Sequence, residues 1–228
     1  MAGKDLRVLW ASPVPYVVGA VFHIALGLLY VSQLEQRRQA LIQPMFPLAG
    51  FLLLLTVPVL TMRSFAEESK AGTLDVLDVA GVPTGVQVGG KWLAAWTTSL
   101  VVLAPSLLFV FLLHLYGHPD AGPIEAGFLG LVMLSALLVG LGVLTSTFTT
   151  SQPVAAMVAL FAAMLLWFAH VGSDSLSAGT VLARLSISER LRNLAGGVID
   201  TADLGFFVIG TAVLLLVAVV VLRARKLR

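Results

Sequence analysis

The chain has 228 residues, of which 58% are hydrophobic and 11% are charged, and its mean hydropathy is +0.98. An average soluble domain carries about 25% charged residues, so most of this surface must face lipid, which excludes a soluble enzyme. The net charge of +2 does not indicate a nucleic-acid partner, because the basic residues cluster at the ends of apolar runs. The absence of cysteine excludes disulfides and thiolate metal sites.

The apolar runs are each long enough to cross about 30 Å of hydrocarbon as a helix. They lack the alternation of barrel strands, so we predict an all-α polytopic membrane protein with a single domain. No small-residue cleavage site follows the first run, which predicts a retained first helix and no signal peptide. The six predicted spans are residues 14–31, 45–62, 92–115, 126–148, 153–171 and 204–222.

The basic residues are divided unevenly between the two sides of this topology. Of the 14 Lys and Arg residues, nine lie on the side of both termini and five lie on the other side. The positive-inside rule therefore predicts cytoplasmic N- and C-termini. It makes residues 63–91 a cytoplasmic loop, while residues 32–44, 116–125 and 172–203 face outward.

The cytoplasmic loop at residues 63–91 carries the main functional signal. Its charged start is interrupted by Gly72, and Thr73 is typical of a helix N-cap with Asp75 in the first turn. The pattern predicts two short helices, the second ending near Gly81. Such a segment fits either a docking face for a protein partner or a plain interfacial connector.

Two distant stretches of the chain resemble the ABC-2-type transporter permeases. The first is TMRSFAEESKAGTLDVL, at residues 61–77, followed by GGKWLAAW. The second is GGVIDTADLGFF, at residues 196–207, which leads into the last span and the basic tail RARKLR. The branch that the chain resembles includes the gliding-motility and nitrous-oxide-reductase copper-maturation permeases, and the resemblance covers nearly the whole chain.

The resemblance implies six transmembrane helices of the ABC-2, or type V exporter-like, architecture. It implies a homodimer, or a heterodimer with a related permease, that works with two copies of a separate ATPase subunit. In such permeases the segment between the second and third spans is a coupling segment that docks into the ATPase. ATP and Mg²⁺ would then be bound by the partner, and this chain would hold no cofactor or metal. The matching positions for the ATPase contact are Arg63, Glu67, Glu68, Gly72, Thr73 and Asp75.

The stretch from Gly85 to Lys91 has the glycine and lysine spacing of a phosphate-binding loop. We reject that function because Trp92, the next residue, has no hydroxyl for Mg²⁺ and no sheet strand precedes the stretch. We expect Gly89 and Gly90 to allow a turn, and Lys91 to anchor the third span at the membrane interface.

The outward segment at residues 172–203 predicts an amphipathic helix. Ser186 to Glu189 has the spacing of a capping box, and Gly196 marks the end of the helix. The resemblance implies that short helices close an outer gate here. Arg190 and Arg192 are therefore candidates for contact with a substrate or an extracytoplasmic protein, and solvated interfacial charges are the alternative.

No Asp, Glu, Lys or Arg falls well inside a predicted span, which argues for an outside energy source over ion coupling. We expect His23 and His170 to be neutral and hydrogen-bonded inside the bundle. Small residues in the fourth span predict close helix packing. They are Gly127, Gly130, Gly140, Gly142 and Ser135.

The predicted function is the membrane-spanning permease subunit of an ABC transporter, exporting across the plasma membrane or a bacterial inner membrane. The chain has no nucleophile–base set, metal cluster or nucleotide site, so we expect no enzyme activity of its own. One alternative is a mechanical transducer that passes ATP-driven motion to an extracytoplasmic partner without translocation. Another is a membrane scaffold or a membrane-embedded enzyme, which would need paired polar catalytic residues at membrane depth.

Overall fold

The computed structural model describes residues 2–37, 41–72, 81–116, 120–171 and 185–226. It is 84% helical, and the described residues form no strands, so the prediction of an all-α protein is confirmed. A 3₁₀ turn at Ala104–Ser106 joins two of the helices. The helices are α1 (Ala2–Ala11), α2 (Val14–Arg37), α3 (Met45–Thr61), α4 (Ala66–Ala71), α5 (Thr84–Leu103), α6 (Leu107–Tyr116), α7 (Ala121–Ser146), α8 (Gln152–Trp167), α9 (Ile187–Ala195) and α10 (Thr201–Lys226).

Five helical segments are long and apolar enough to cross a membrane, as a multi-pass membrane protein requires. They are Val14–Glu35, Met45–Lys70, Thr84–Leu115, Ala121–Ser146 and Thr201–Arg225. The helix at the fifth predicted span (residues 153–171), α8, is apolar but has only 16 residues. It ends at Trp167, where the backbone carbonyl accepts a hydrogen bond from the Ser188 hydroxyl of α9 at 2.9 Å.

Helices α3 and α7 form the centre of the bundle. Their apolar windows are 67% and 72% buried, against 22% for α2 and 17% for α10. Glycines allow this close packing, because a Cβ atom at Gly127 would overlap Phe46 and one at Gly142 would overlap Thr61. The predicted close packing is confirmed at these two glycines. At Gly140 an added Cβ would make only ordinary contacts, the nearest at 3.6 Å from Leu214.

The outer helices expose large apolar side chains that the described part of the chain leaves uncovered. In water such a surface would drive association, whereas in a bilayer it faces lipid tails. The exposed side chains on α2, α8 and α10 include Val17, Val21, Ile24, Leu28, Met157, Phe161, Leu165, Ile209, Leu216 and Val220.

The third predicted span is longer than the sequence indicated and is broken in its middle. Helix α5 begins at Thr84 rather than at residue 92, so Gly89 and Gly90 lie inside the helix and the expected turn there is wrong. Pro105 has no N–H to donate, and the helix tightens to a 3₁₀ turn around it before α6 begins.

Two stacked indoles join α5 to α7. The Trp92 and Trp96 rings lie 5.0 Å apart, centroid to centroid, with an interplanar angle of 16°. Trp92 Nε1 donates to the Ala136 carbonyl at 3.1 Å, and Trp96 Nε1 donates to Ser135 Oγ at 3.1 Å. Each indole therefore satisfies its single polar group on the neighbouring helix.

The bundle has two distinct ends, which we call the α4 end and the α9 end. At the α4 end, Lys91 of α5 contacts both α1 and α4. The end of α10 lies there too, because Arg225 donates to the Phe148 carbonyl just after α7. Lys70 of α4 shares a cleft with residues 150–153, where α8 begins. The α9 end contains the last turn of α8, α9 and the start of α10.

Candidate functional site

Helix α4 is a single short helix with defined ends. Phe65 precedes it and is buried, while Glu67 and Glu68 occupy the first turn, where carboxylates favour the positive end of the helix dipole. Gly72 ends the helix in the left-handed region at φ +66°, a conformation that glycine adopts without a Cβ penalty. The predicted break at Gly72 is therefore present.

The second predicted helix of this loop, which contains Thr73 and Asp75, lies outside the described residues. The chain is described again from Gly81, which also has a positive φ, of +70°. Pro83 then precedes the first residue of α5 in an extended conformation.

An ion cluster of Asp5, Glu68 and Lys91 joins α1, α4 and α5. Lys91 Nζ lies 2.7 Å from Glu68 Oε1 and 4.0 Å from Asp5 Oδ1. It also lies 5.1 Å from the centroid of the Phe65 ring, which adds a cation–π contact. Lys91 is only 6% exposed, so its side chain is buried among these groups.

The burial of Lys91 has a physical cause. Because α5 starts upstream, Lys91 lies in the second turn of the helix and faces its neighbours instead of the headgroups. A buried ammonium ion requires a close counter-charge, since desolvation of an unpaired ion costs several kcal/mol. The carboxylates of α1 and α4 supply that counter-charge, and they thereby fix α4 against the bundle.

The four described residues that were predicted to contact an ATPase divide into two groups. Arg63 Nη1 donates to Ser12 Oγ at 3.4 Å, between α1 and α2, and Glu68 belongs to the ion cluster. Both are thus engaged within the chain. Glu67 and Gly72 are exposed on the outer surface of the α4 end.

A cleft of about 360 Å³ adjoins α4 on the side of α8. Exposed Lys70, in the last turn of α4, lines it together with Thr150, Ser151, Gln152 and Pro153. Pro153 lies in the first turn of α8, which begins at Gln152. The cleft separates the outer surface of α4 from the connection between α7 and α8.

At the α9 end, Arg190 and Arg192 have different environments. Arg190 Nη1 lies 2.6 Å from Asp203 Oδ1, and its guanidinium lies 4.2 Å from the centroid of the Phe206 ring. These contacts fix α9 to α10. Arg192 is largely exposed and pairs with Glu189 on its own helix at 3.1 Å. Of the two, Arg192 is the side chain that can meet another molecule.

The N-terminus of α9 differs from the predicted capping box. Ser186 is the N-cap residue, but its hydroxyl makes no capping hydrogen bond. The hydroxyls of Ser186 and Ser188 instead lie 3.2 and 3.1 Å from His170 Nδ1. The expectation that both membrane histidines are hydrogen-bonded is confirmed, since His23 Nδ1 lies 2.8 Å from the Gly19 carbonyl.

Asp5 was not singled out by the sequence, although it completes the ion cluster. A signal was present: Lys91 is the one Lys or Arg between residues 71 and 183, and residues 2–11 and 63–90 both carry carboxylates. A single cation beside a long apolar run indicates a buried ion pair just as strongly as it indicates an anchor at the membrane surface.

Comparison with models of known protein families gives no match, and comparison with curated proteins gives none. The resemblance to ABC-2-type permeases therefore depends on the sequence motifs given above.

Proposed function

We propose that the chain is the membrane-spanning permease subunit of an ABC-2-type exporter, driven by a separate ATPase subunit. The observation that carries the proposal is the geometry of α4. This short helix exposes an acidic side chain, Glu67, and is fixed through Glu68 to a long helix that enters the bundle. A force applied to α4 by a partner would pass directly to α5.

The proposal includes six membrane crossings and cytoplasmic termini. In its support, α8 runs from the α4 end to the α9 end, although its 16 residues span only about 24 Å. An even number of crossings returns the C-terminus to the side of α1. Most basic residues described in the structure lie at the α4 end, which favours that end as the cytoplasmic one. They are Lys4, Arg7, Arg63, Lys70, Lys91, Arg223 and Arg225.

The proposed coupling segment assigns different roles to neighbouring residues. Glu67 contacts the ATPase, Gly72 allows the reversal of the chain, and Thr73 and Asp75 continue the contact surface. Arg63 and Glu68 hold the segment to the bundle, and so act on coupling indirectly. ATP and Mg²⁺ are bound by the two ATPase copies, and a second permease copy completes the transporter in the plasma or bacterial inner membrane.

A mechanical transducer is the second candidate, and the α9 end favours it. Arg190 and Asp203 tie α9 to the first turn of α10, so movement of α10 would displace α9. Arg192 on the outer surface of α9 is available to an extracytoplasmic protein. The ATPase contact would be the same for the exporter and for the transducer. The two differ only in whether the ATP-driven motion exports a substrate or is passed to an extracytoplasmic protein.

Charge reversal at Glu67 tests the ATPase contact. The loss of one charge-assisted contact, at about 1.5–3 kcal/mol, should weaken copurification of the ATPase by about ten- to 150-fold. Glu125→Lys is the matched control, because it makes the same charge reversal at an exposed position near the start of α7, at the α9 end, and it should leave copurification unchanged. If Glu67→Lys copurifies with an ATPase and stimulates its turnover like the wild type, the coupling assignment is wrong.

Substitution of Gly72 tests the transmission of force. Gly72→Val should leave the ATPase bound but reduce its stimulation, because a β-branched residue resists the left-handed conformation at φ +66°. Among the described residues, no atom lies within 4 Å of the position of an added Cβ, so the expected effect comes from the backbone conformation. Unchanged stimulation by this variant would remove Gly72 from the proposal.

A further inference from the structure

Helix α1 presents two chemically different faces. Asp5 faces the ion cluster, whereas Lys4, Arg7 and Val8 are exposed. Residues spaced three and four apart lie on the same face of a helix, so these exposed side chains form one strip. We call it the outer strip of α1. It combines two positive charges with an apolar side chain that is 62% exposed.

Helix α1 has the length and composition of a helix that lies on a membrane surface. It has ten residues and is about 15 Å long, which is too short and too polar to cross a bilayer. Its last turn adjoins the first turn of α2, where the Trp10 and Tyr16 rings lie 5.4 Å apart in a T-shaped arrangement. Tyr16 is exposed on the apolar surface of α2, and aromatic rings of this kind are typical of the headgroup level.

We infer that α1 lies in the membrane interface and binds anionic phospholipid headgroups through Lys4 and Arg7. The charge of the outer strip is complementary to phosphate, and Val8 gives the strip an apolar side chain that can enter the acyl boundary. The Trp10–Tyr16 pair lies next to the strip, at the level of the first membrane-spanning turn. This position favours lipid over a protein partner, because a protein partner would not require it. The inference depends on the membrane location of α2 and not on the proposed ATPase.

Lipid binding at the outer strip would reach the rest of the molecule through Asp5. This carboxylate lies on the inner face of α1, next to Lys91, which also binds Glu68 of α4. A shift of α1 on the bilayer surface therefore changes the surroundings of the ion that fixes α4. The arrangement makes the position of α4 sensitive to the anionic lipid content of the membrane.

The absence of cysteine allows a direct test with the full-length protein. Val8→Cys provides a unique thiol for a bimane fluorophore, and the protein is placed in phosphatidylcholine nanodiscs with increasing brominated phosphatidylglycerol. We expect brominated phosphatidylglycerol to quench the bimane at a lower mole fraction than brominated phosphatidylcholine does. Added salt should reduce this preference, because screening weakens attraction between exposed charges.

Removal of the charges of Lys4 and Arg7 distinguishes binding of anionic headgroups from simple proximity of the fluorophore to lipid. Lys4→Gln and Arg7→Gln should each reduce the preference for phosphatidylglycerol by about fivefold, and the double variant should abolish it. Arg223→Gln, an exposed basic residue at the end of α10, is the matched control and should leave it unchanged. Equal quenching by both bromolipids in the parent protein, or an undiminished preference in the double variant, would overturn the inference.

Discussion

Replacement of Lys91 by Met should destabilise the protein strongly, because it leaves the carboxylates of Glu68 and Asp5 without their cation. Their side chains are only 23% and 19% exposed, so water restores little of the lost interaction. Breaking a buried ion pair costs about 3–5 kcal/mol, and the partial exposure places this case near the lower figure. A chain of this size loses about 2–4 °C in Tm per kcal/mol, which predicts a decrease of about 6–12 °C.

Removal of both charges should recover part of that loss. The double variant Lys91→Met with Glu68→Met replaces an ion pair by apolar side chains, which is often close to neutral. We expect its Tm to lie closer to the wild type than to Lys91→Met alone. The residual deficit measures the contribution of Asp5 and of the cation–π contact with Phe65.

Thermal unfolding of the purified protein in detergent, followed by tryptophan emission, provides the measurement. Lys70→Met is the matched control, since it removes an exposed lysine from the neighbouring helix and should change stability by no more than about 0.5 kcal/mol. If Lys91→Met unfolds within the error of the Lys70→Met control, the ion cluster does not stabilise the α4 end. Equal values for the single and double variants would show that Lys91 acts through packing alone.

Three further predictions concern packing, the α9 end and topology. Gly142→Ala should lower Tm, since overpacking between α3 and α7 costs about 1–3 kcal/mol, whereas Gly205→Ala, which meets nothing within 4 Å, should leave it unchanged or raise it. Arg190→Leu should destabilise the protein by leaving the buried Asp203 without its cation, although the Asn193 amide still donates to it, while Arg192→Leu should lose no more than about 0.5 kcal/mol. Thermal unfolding measures the Tm of the two glycine variants and of the two arginine variants. If Gly205→Ala lowered the Tm more than Gly142→Ala, or Arg192→Leu more than Arg190→Leu, the assigned contacts would be wrong. Alkaline phosphatase fused to the C-terminus should be inactive, and an active fusion would exclude cytoplasmic termini.

The helical class and the core were predictable because both follow from hydropathy. The fourth predicted span, with its run of glycines, corresponds to α7, and two of those glycines, Gly127 and Gly142, lie where α3 packs against it. The start of α5 was not predictable in this way. Hydropathy locates the lipid-embedded part of a helix, but α5 continues from Trp92 back to Thr84 through residues that a helix tolerates outside the membrane.

The contacts of the candidate site were predictable only in part. The acidic first turn of α4 and its end at Gly72 are local features, and local rules describe them. The partners of Lys91 are distant in sequence, so only the three-dimensional packing pairs it with Glu68 and Asp5. Ser186 illustrates the same limit, since a tertiary contact with His170 replaces the local capping bond that its spacing predicted.

The Trp92–Trp96 stack gives the protein a natural optical reporter of the α5–α7 interface. Indole emission shifts to the red when the ring moves from an apolar, hydrogen-bonded site into water. Both indoles belong to the helix that holds Lys91, and both donate to α7. Rotation of α5 would break these bonds together, so with Trp10 and Trp167 replaced by Phe the emission maximum should follow the movement of this helix without an attached dye.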